Sequence, residues 1–158
     1  MVTLKELYSI IESLFSSHPE INSVTKYDVK DYIGARDKIY MNANIRYVEG
    51  QVQGKYINHN FMVTLADRLT PTGDNELEIL SSAQLIAEDI FTQLAASFDY
   101  TFQKNVNLVT FTEADGDRIA GIYFQINIQV LRGQNQCIIP NSTIGEFPLN
   151  LPIHFLNK

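Results

Sequence analysis

The stretch IAGIYFQINIQVL, residues 119–131, alternates between two kinds of side chain along its length. Its even positions are Ala120, Ile122, Phe124, Ile126, Ile128 and Val130, and Gln or Asn occupies the odd positions from 125 to 129. Successive side chains of a β-strand point to opposite faces of a sheet. The pattern therefore predicts a strand with one face in the core and the other in water.

The residues on either side of this strand predict its neighbours. Residues 100–112 suit a second strand, and Asp115, Gly116 and Asp117 form a turn signal that would join the two as a hairpin. Before them, Pro71 and Gly73 break the chain, and Asp74 or Asn75 is placed to cap a helix that runs to about residue 97. Its apolar residues fill about half the helical circumference, which predicts a helix lying across the sheet. They are Leu77, Ile79, Leu80, Ala83, Ile86, Ala87, Ile90, Phe91 and Leu94.

The N-terminal half predicts a helix and a second hairpin. Thr3 and Glu6 form a capping-box pair at the start of an amphipathic helix that ends before Pro19. Residues 39–48 and 56–66 suit two long antiparallel strands, and a shorter strand covers residues 23–29. The fold class is therefore α+β: a mainly antiparallel sheet of two long hairpins, with an N-terminal and a central helix packed on it.

Regular patterning stops after residue 132, so we expect an α+β domain over residues 1–132 and an extended arm over residues 133–158. In the arm, apolar residues alternate with Pro148, Asn150, Pro152 and His154. Both prolines fall on one edge of an extended chain, so only the other edge can pair. We expect residues 146–155 to lie along a sheet edge or groove of a neighbouring subunit. The alternative is that the arm covers an edge of its own domain. The apolar residues are Phe147, Leu149, Leu151, Ile153 and Phe155.

The residues that carry chemistry do not form a recognisable site. His18, His59 and His154 have no metal-site spacing, and Cys137 is the only cysteine. No phosphate loop or serine nucleophile elbow occurs. We therefore expect no enzymatic activity, no cofactor and no metal, although a site assembled from distant positions remains an alternative. The formal charge of -6 argues against tight binding to a phosphate backbone.

Leu85 is the candidate contact residue on the central helix. The helical wheel places it among Glu78, Ser81, Asp89 and Thr92, opposite the apolar stripe. We expect it to contact another subunit, with a single exposed leucine as the alternative reading. Neither an export signal nor a run of eighteen apolar residues is visible, so we expect a soluble protein made in the cytoplasm, with no membrane partner.

The order of these elements resembles that of the tail-terminator and head-to-tail connector proteins of tailed bacteriophages, over nearly the whole chain. The resemblance rests on the strand at 61–66, the break at 71–74, the helix at 77–96 and the strand at 119–131. The Asn, Ile and Tyr usage is similar to that of virion proteins of gut phages related to the crAss group. No short motif carries the resemblance.

The resemblance implies a ring of six or twelve copies in the neck or tail of a virion, stacked against neighbouring connector, portal or tail proteins. Genomic DNA would pass through the ring without specific binding, and an acidic chain suits such a channel wall. The family has no catalytic residues to transfer. Two alternatives stay open: another phage tail component, such as a tube or baseplate protein, and a cytosolic adaptor domain that binds proteins or small ligands.

Overall fold

The computed structural model describes residues 2–32, 35–36, 38–113 and 118–133, and these residues form one sheet and three helices. The bounds in chain order are α1 Leu4–Ser16, β1 Ser23–Thr25, α2 Val29–Tyr32, β2 Asn42–Gln53, β3 Tyr56–Arg68, α3 Glu76–Ala95, β4 Thr101–Phe102, β5 Val109–Glu113 and β6 Ile119–Leu131. The strand order is β1-β2-β3-β6, and both β4 and β5 pair with the far edge of β6. Among the described strands, only β1 and β2 pair in parallel. The predicted α+β class with a mainly antiparallel sheet is confirmed.

The core lies between one face of the sheet and the helices α1 and α3. The capping box predicted at Thr3 and Glu6 is present, because each side chain accepts a hydrogen bond from the backbone N–H of the other. Helix α1 then buries Leu7, Ile11 and Phe15 against the sheet. The largest fully buried strand residues include Phe61, Ile45, Leu65, Phe124 and Ile126.

Strand β6 has the predicted alternation, with its even positions buried and Tyr123 and Gln125 exposed. At its N-terminal end both faces are covered, since Ile119 joins a second small cluster with Tyr32 and Ala66. The segment that holds α2 therefore covers one end of the sheet's second face.

The first predicted hairpin is confirmed and is longer than expected. Strand β2 continues through Gly50 to Gln53, so the turn consists only of Gly54 and Lys55. The strand begins at Asn42 rather than at residue 39. The shorter strand expected over residues 23–29 extends only over Ser23–Thr25.

Residues 100–112 do not form the single strand predicted for them. They form the two short strands β4 and β5. After β4, the backbone N–H of Gln103 donates one more hydrogen bond to the carbonyl of Asn127 on β6. Lys104, Asn105 and Asn107 have weak strand propensity, and the chain leaves the edge of β6 there. The predicted turn at residues 115–117 lies outside the described residues.

One prediction for α3 is wrong, and a second is correct only for the position of the cap. Leu77 is 78% exposed rather than part of the core stripe, since 3.6 residues per turn place it about 130° from the centre of the buried residues. Asn75 is at the N-cap position, but its side chain makes no capping bond. It accepts instead from the backbone N–H of Thr70 and donates to the carbonyl of Arg68, which fixes the turn before the helix.

Candidate assembly surfaces

The second face of the sheet, called here the open face, carries no helix along most of its length in the described part of the chain. Cross-strand register places its side chains in rows, such as Arg46, Met62 and Gln125 across β2, β3 and β6. Most of the others are amides: Asn58, Asn60, Asn127 and Gln129. Such a face presents many hydrogen-bonding groups and few charges.

Some of the amides of the open face are already paired with each other. The side-chain N–H of Asn60 donates to the Oε1 atom of Gln125 at 3.0 Å, and that of Asn58 donates to the Oε1 atom of Gln53 at 2.8 Å. These bonds hold the amide groups in place across three strands. Hydrogen bonds within the sheet thus orient part of the open face, whereas the Oδ1 atoms of Asn58 and Asn60 have no hydrogen-bond partner among the described residues.

An apolar groove of about 360 Å³ lies at the end of the open face near α2. Its aromatic side chains come from three places: the α2 segment, with Tyr27 before the helix and Tyr32 at its end, Phe111 on β5 and Tyr123 on β6. Phe111 and Tyr123 are in ring contact, with centroids 6.3 Å apart. Met62 forms part of its floor.

Two buried asparagines of β2 attach the segment that forms one wall of this groove. The side chain of Asn44 accepts from the backbone N–H of Tyr27 at 2.7 Å and donates to the carbonyl of Tyr27 at 2.8 Å. Asn42 accepts from the Tyr32 hydroxyl at 2.9 Å and donates to the Ser23 hydroxyl at 2.8 Å. Buried amides satisfied in this way give the groove a fixed wall.

The outward side of α3 is a second candidate surface. Leu85 is 61% exposed and lies about 150° from the centre of the buried stripe, as the wheel predicted. Leu77, which the sequence pattern assigned to the core, is also exposed on this side. That Leu85 contacts another subunit stays a prediction. Phe147, Leu149, Leu151, Ile153 and Phe155, the other predicted contact residues, lie outside the described residues.

The histidines in the described part of the chain have structural partners. The Nε2 atom of His18 lies 3.0 Å from a carboxylate oxygen of Asp89, which connects the end of α1 to α3. His59 is on the core side of the sheet, and its Nδ1 atom is 3.0 Å from the hydroxyl of Tyr47. Burial lowers the pKa of His59 and raises the pKa of Tyr47.

Across residues 2–32, 35–36, 38–113 and 118–133, no three His, Cys, Asp or Glu side chains converge as a metal site would require. Within the same ranges, none of the helices combines the length and apolar character that crossing a membrane demands.

The aromatic groove was not predicted from the sequence. A signal was present at Tyr123, an aromatic residue at an odd position of a strand whose later odd positions are amides. Its neighbours Met62 and Phe111 come from other strands, and only the strand register brings them to Tyr123.

No family model matches the chain, and no curated protein matches it significantly.

Proposed function

We propose that this chain is a structural subunit of a tailed-phage virion and forms a ring in the head-to-tail connector or at the tail terminus. The observation that carries the proposal is the layered architecture. Helices α1 and α3 cover one face of the sheet, so the open face and the outward side of α3 lie on opposite sides of the subunit. A subunit therefore has two different surfaces on opposite sides.

Two different surfaces favour a head-to-tail assembly. When one surface of a subunit binds the other surface of the next, the contact is heterologous, and a suitable rotation closes it into a ring. A dimer with twofold symmetry would instead bury the same surface twice. The ring is supported by this asymmetry together with the resemblance in element order.

The residues of the two surfaces are suited to protein contacts. The centres of protein interfaces are depleted in charged residues and enriched in aromatic residues and Met. The open face has Tyr123, Met62 and Phe111 at its groove, and Arg46 is the charged residue of that groove. The outward side of α3 adds the exposed Leu85 and Leu77.

Native mass spectrometry and negative-stain electron microscopy of the purified chain test assembly. Antibody labelling of particles of the parent phage tests location. We expect closed rings of six or twelve copies in solution, or labelling confined to the junction between head and tail. A chain that is monomeric at every concentration and gives no label on particles would overturn the proposal. Label spread along the tail tube or at the baseplate would overturn the neck position and favour the other tail components.

A protein-binding adaptor is the second candidate, and the aromatic groove is the observation that favours it. Extended peptides bind in aromatic-lined grooves in several recognition modules. An adaptor would stay monomeric and bind its ligand with a stoichiometry of one. The native mass of the chain separates the two candidates.

A further inference from the structure

The outer edge of β2 is unpaired along most of its length in the described part of the chain. Strand β1 pairs only with Asn42–Asn44, and the rest of β2 has a strand neighbour on one side only, at β3. Residues 46–53 therefore present a free edge about 26 Å long at ~3.3 Å per residue. This stretch is called the β2 edge below.

The β2 edge has few of the features that normally prevent strand addition. It contains no proline and no lysine, and its charges are one Arg46 and one Glu49. A register shift between Tyr47 and Glu49 is its one irregularity. Free edges of this length are templates for pairing with another chain.

Residues 147–155 of the arm have the length and the hydrogen-bonding pattern for this edge. They are nine residues long, and His154 is the only titratable residue among them. Pro148 and Pro152 remove N–H donors from one edge, so the segment pairs through the other edge alone. An added arm would satisfy the β2 edge and prevent the addition of a further strand.

The side chains of the two segments also match. On the side of the sheet that faces the helices, the β2 edge presents Tyr47 and Val52, and Val52 is 56% exposed. On the open side it presents Arg46, Glu49 and Gln51. The apolar face of the arm therefore fits the helix side, and its Asn150 and prolines fit the open side.

The point at which the chain leaves the domain puts two β2 edges within reach of the arm, its own and that of a neighbouring copy, and the proposed ring favours the second. The backbone N–H of Arg132 donates to the carbonyl of Lys55, and its guanidinium donates to the carbonyl of Gly54, both at 2.8 Å. The chain thus departs beside the β2–β3 turn. Residues 134–146 reach about 45 Å when extended. The chain's own β2 lies only about 10 Å from β6, two strand spacings away.

We infer that residues 147–155 of one copy add as a strand to the β2 edge of a neighbouring copy. The inference rests on the proposed ring function and names the contact by which one subunit holds the next. Main-chain hydrogen bonds supply the affinity, and the alternate apolar side chains supply the specificity, as in other strand additions.

Proline variants of the full chain test which edge of the arm pairs. Leu151→Pro removes an N–H on the pairing edge, whereas Asn150→Pro removes one on the edge that Pro148 and Pro152 already block. Leu151→Ala controls for the loss of the leucine side chain. We expect L151P to raise the concentration needed for assembly by more than tenfold, L151A by less than L151P, and N150P by less than about twofold. Equal behaviour of L151P and N150P would overturn the inference.

Crosslinking between copies tests whose edge is occupied. In a Cys137→Ser background, one tagged copy carries Gln51→Cys and a second, differently tagged copy carries Asn150→Cys, because the inference places both side chains on the open side of the sheet. We expect a short bismaleimide to join the two tags. A chain that carries both cysteines and crosslinks only within itself at high dilution would place the arm on its own β2 edge and overturn the inference. Rings without a crosslink between tags would overturn the arm contact and leave the ring proposal standing. Copies that crosslink between tags but form no ring would overturn the ring proposal and leave the arm contact standing.

Discussion

The hydroxyl of Tyr47 lies 3.0 Å from the Nδ1 atom of His59, and the two ring centroids are 5.7 Å apart. Both side chains are on the helix side of the sheet, near the turn between β2 and β3. His59 is only 5% exposed, and Gly50 is its cross-strand partner. The pair is therefore a packed polar contact at the end of the core, and we expect it to make the stability of the domain dependent on pH.

We expect the free energy of unfolding to fall as the pH decreases below about 6.5. Burial holds the pKa of His59 below its ordinary value of 6.5 in the folded protein, so the unfolded chain takes up the proton first. The part of the folding stability that depends on neutral His59 is complete above pH 6.5. It is lost as the pH falls through the lowered pKa of His59. Urea unfolding between pH 7.5 and 5 measures it. His59→Gln should remove this component, whereas His18→Gln should leave it, and an unchanged pH profile in H59Q would show that the assignment is wrong.

Gly50 makes room for the Tyr47 hydroxyl, and we expect Gly50→Ala to lower the free energy of unfolding by roughly 1–3 kcal/mol, the usual cost of overpacking. A Cβ at this position would lie 2.4 Å from the hydroxyl oxygen. The control is Tyr47→Phe, which removes that oxygen. If the clash is the cause, G50A should cost clearly less in the Y47F background than alone, as a double-mutant cycle will measure. Equal costs in both backgrounds would contradict this account.

The elements that could be predicted from the sequence are those whose signals are local. The capping box at Thr3 and Glu6 is a contact over three residues, and the alternation in Ile119–Leu131 follows from strand geometry alone. Both signals gave correct elements. The turn at Gly54 and Lys55 also follows a local signal, although the strands extend further towards it than the pattern indicated.

The features that were not predicted have both local and tertiary causes. Leu77 is apolar and follows the cap of α3, yet it lies outside the stripe that the sheet covers. The break between β4 and β5 falls where Lys104, Asn105 and Asn107 have weak strand propensity. The groove at Tyr123 requires the register of three strands and the attachment of Tyr27 by Asn44. The first two features have local signals, in the helical angle of Leu77 and in strand propensity, whereas the groove requires residues that are distant in sequence.

We expect Asn44→Ala to lower the free energy of unfolding by about 2–3 kcal/mol. The substitution leaves the backbone N–H and carbonyl of Tyr27 without their partner, and an unsatisfied buried group costs about 1–3 kcal/mol. The control is Asn60→Ala on the open face, whose amide bonds only to Gln125, with an expected loss below about 1 kcal/mol. Denaturant unfolding of both variants measures the difference. Equal losses would show that Asn44 does not hold the groove wall.

We expect the purified chain not to retain duplex DNA at physiological salt. Its formal charge is -6, and affinity for a phosphate backbone comes mainly from Lys and Arg residues that release counterions. A gel-shift titration at low and at physiological salt measures it, with a basic DNA-binding domain of similar size as the positive control. Tight binding that weakens steeply with salt would contradict the expectation and would require a basic patch in the assembled ring.

We expect Leu85→Ser to weaken assembly while leaving the fold intact. Leu85 is 61% exposed in the single chain, and exposed substitutions usually change the free energy of unfolding by less than about 0.5 kcal/mol. If a neighbouring subunit buries the side chain, its loss costs about 1.5–3 kcal/mol per contact. Because 1.4 kcal/mol corresponds to a tenfold change in an equilibrium constant, the concentration at half-assembly should rise by about tenfold or more.

The adjacent exposed residue Gln84 supplies the matched control for Leu85, since Gln84→Ser changes the same region of α3 without removing an apolar group. Light scattering over a dilution series measures the assembly of both variants. Thermal unfolding at a concentration below assembly checks that each variant is folded. A cryo-electron microscopy map of the assembled particle gives the direct answer: Leu85 in contact with a neighbouring subunit supports the prediction, and Leu85 in solvent shows that this side of α3 is not part of the assembly.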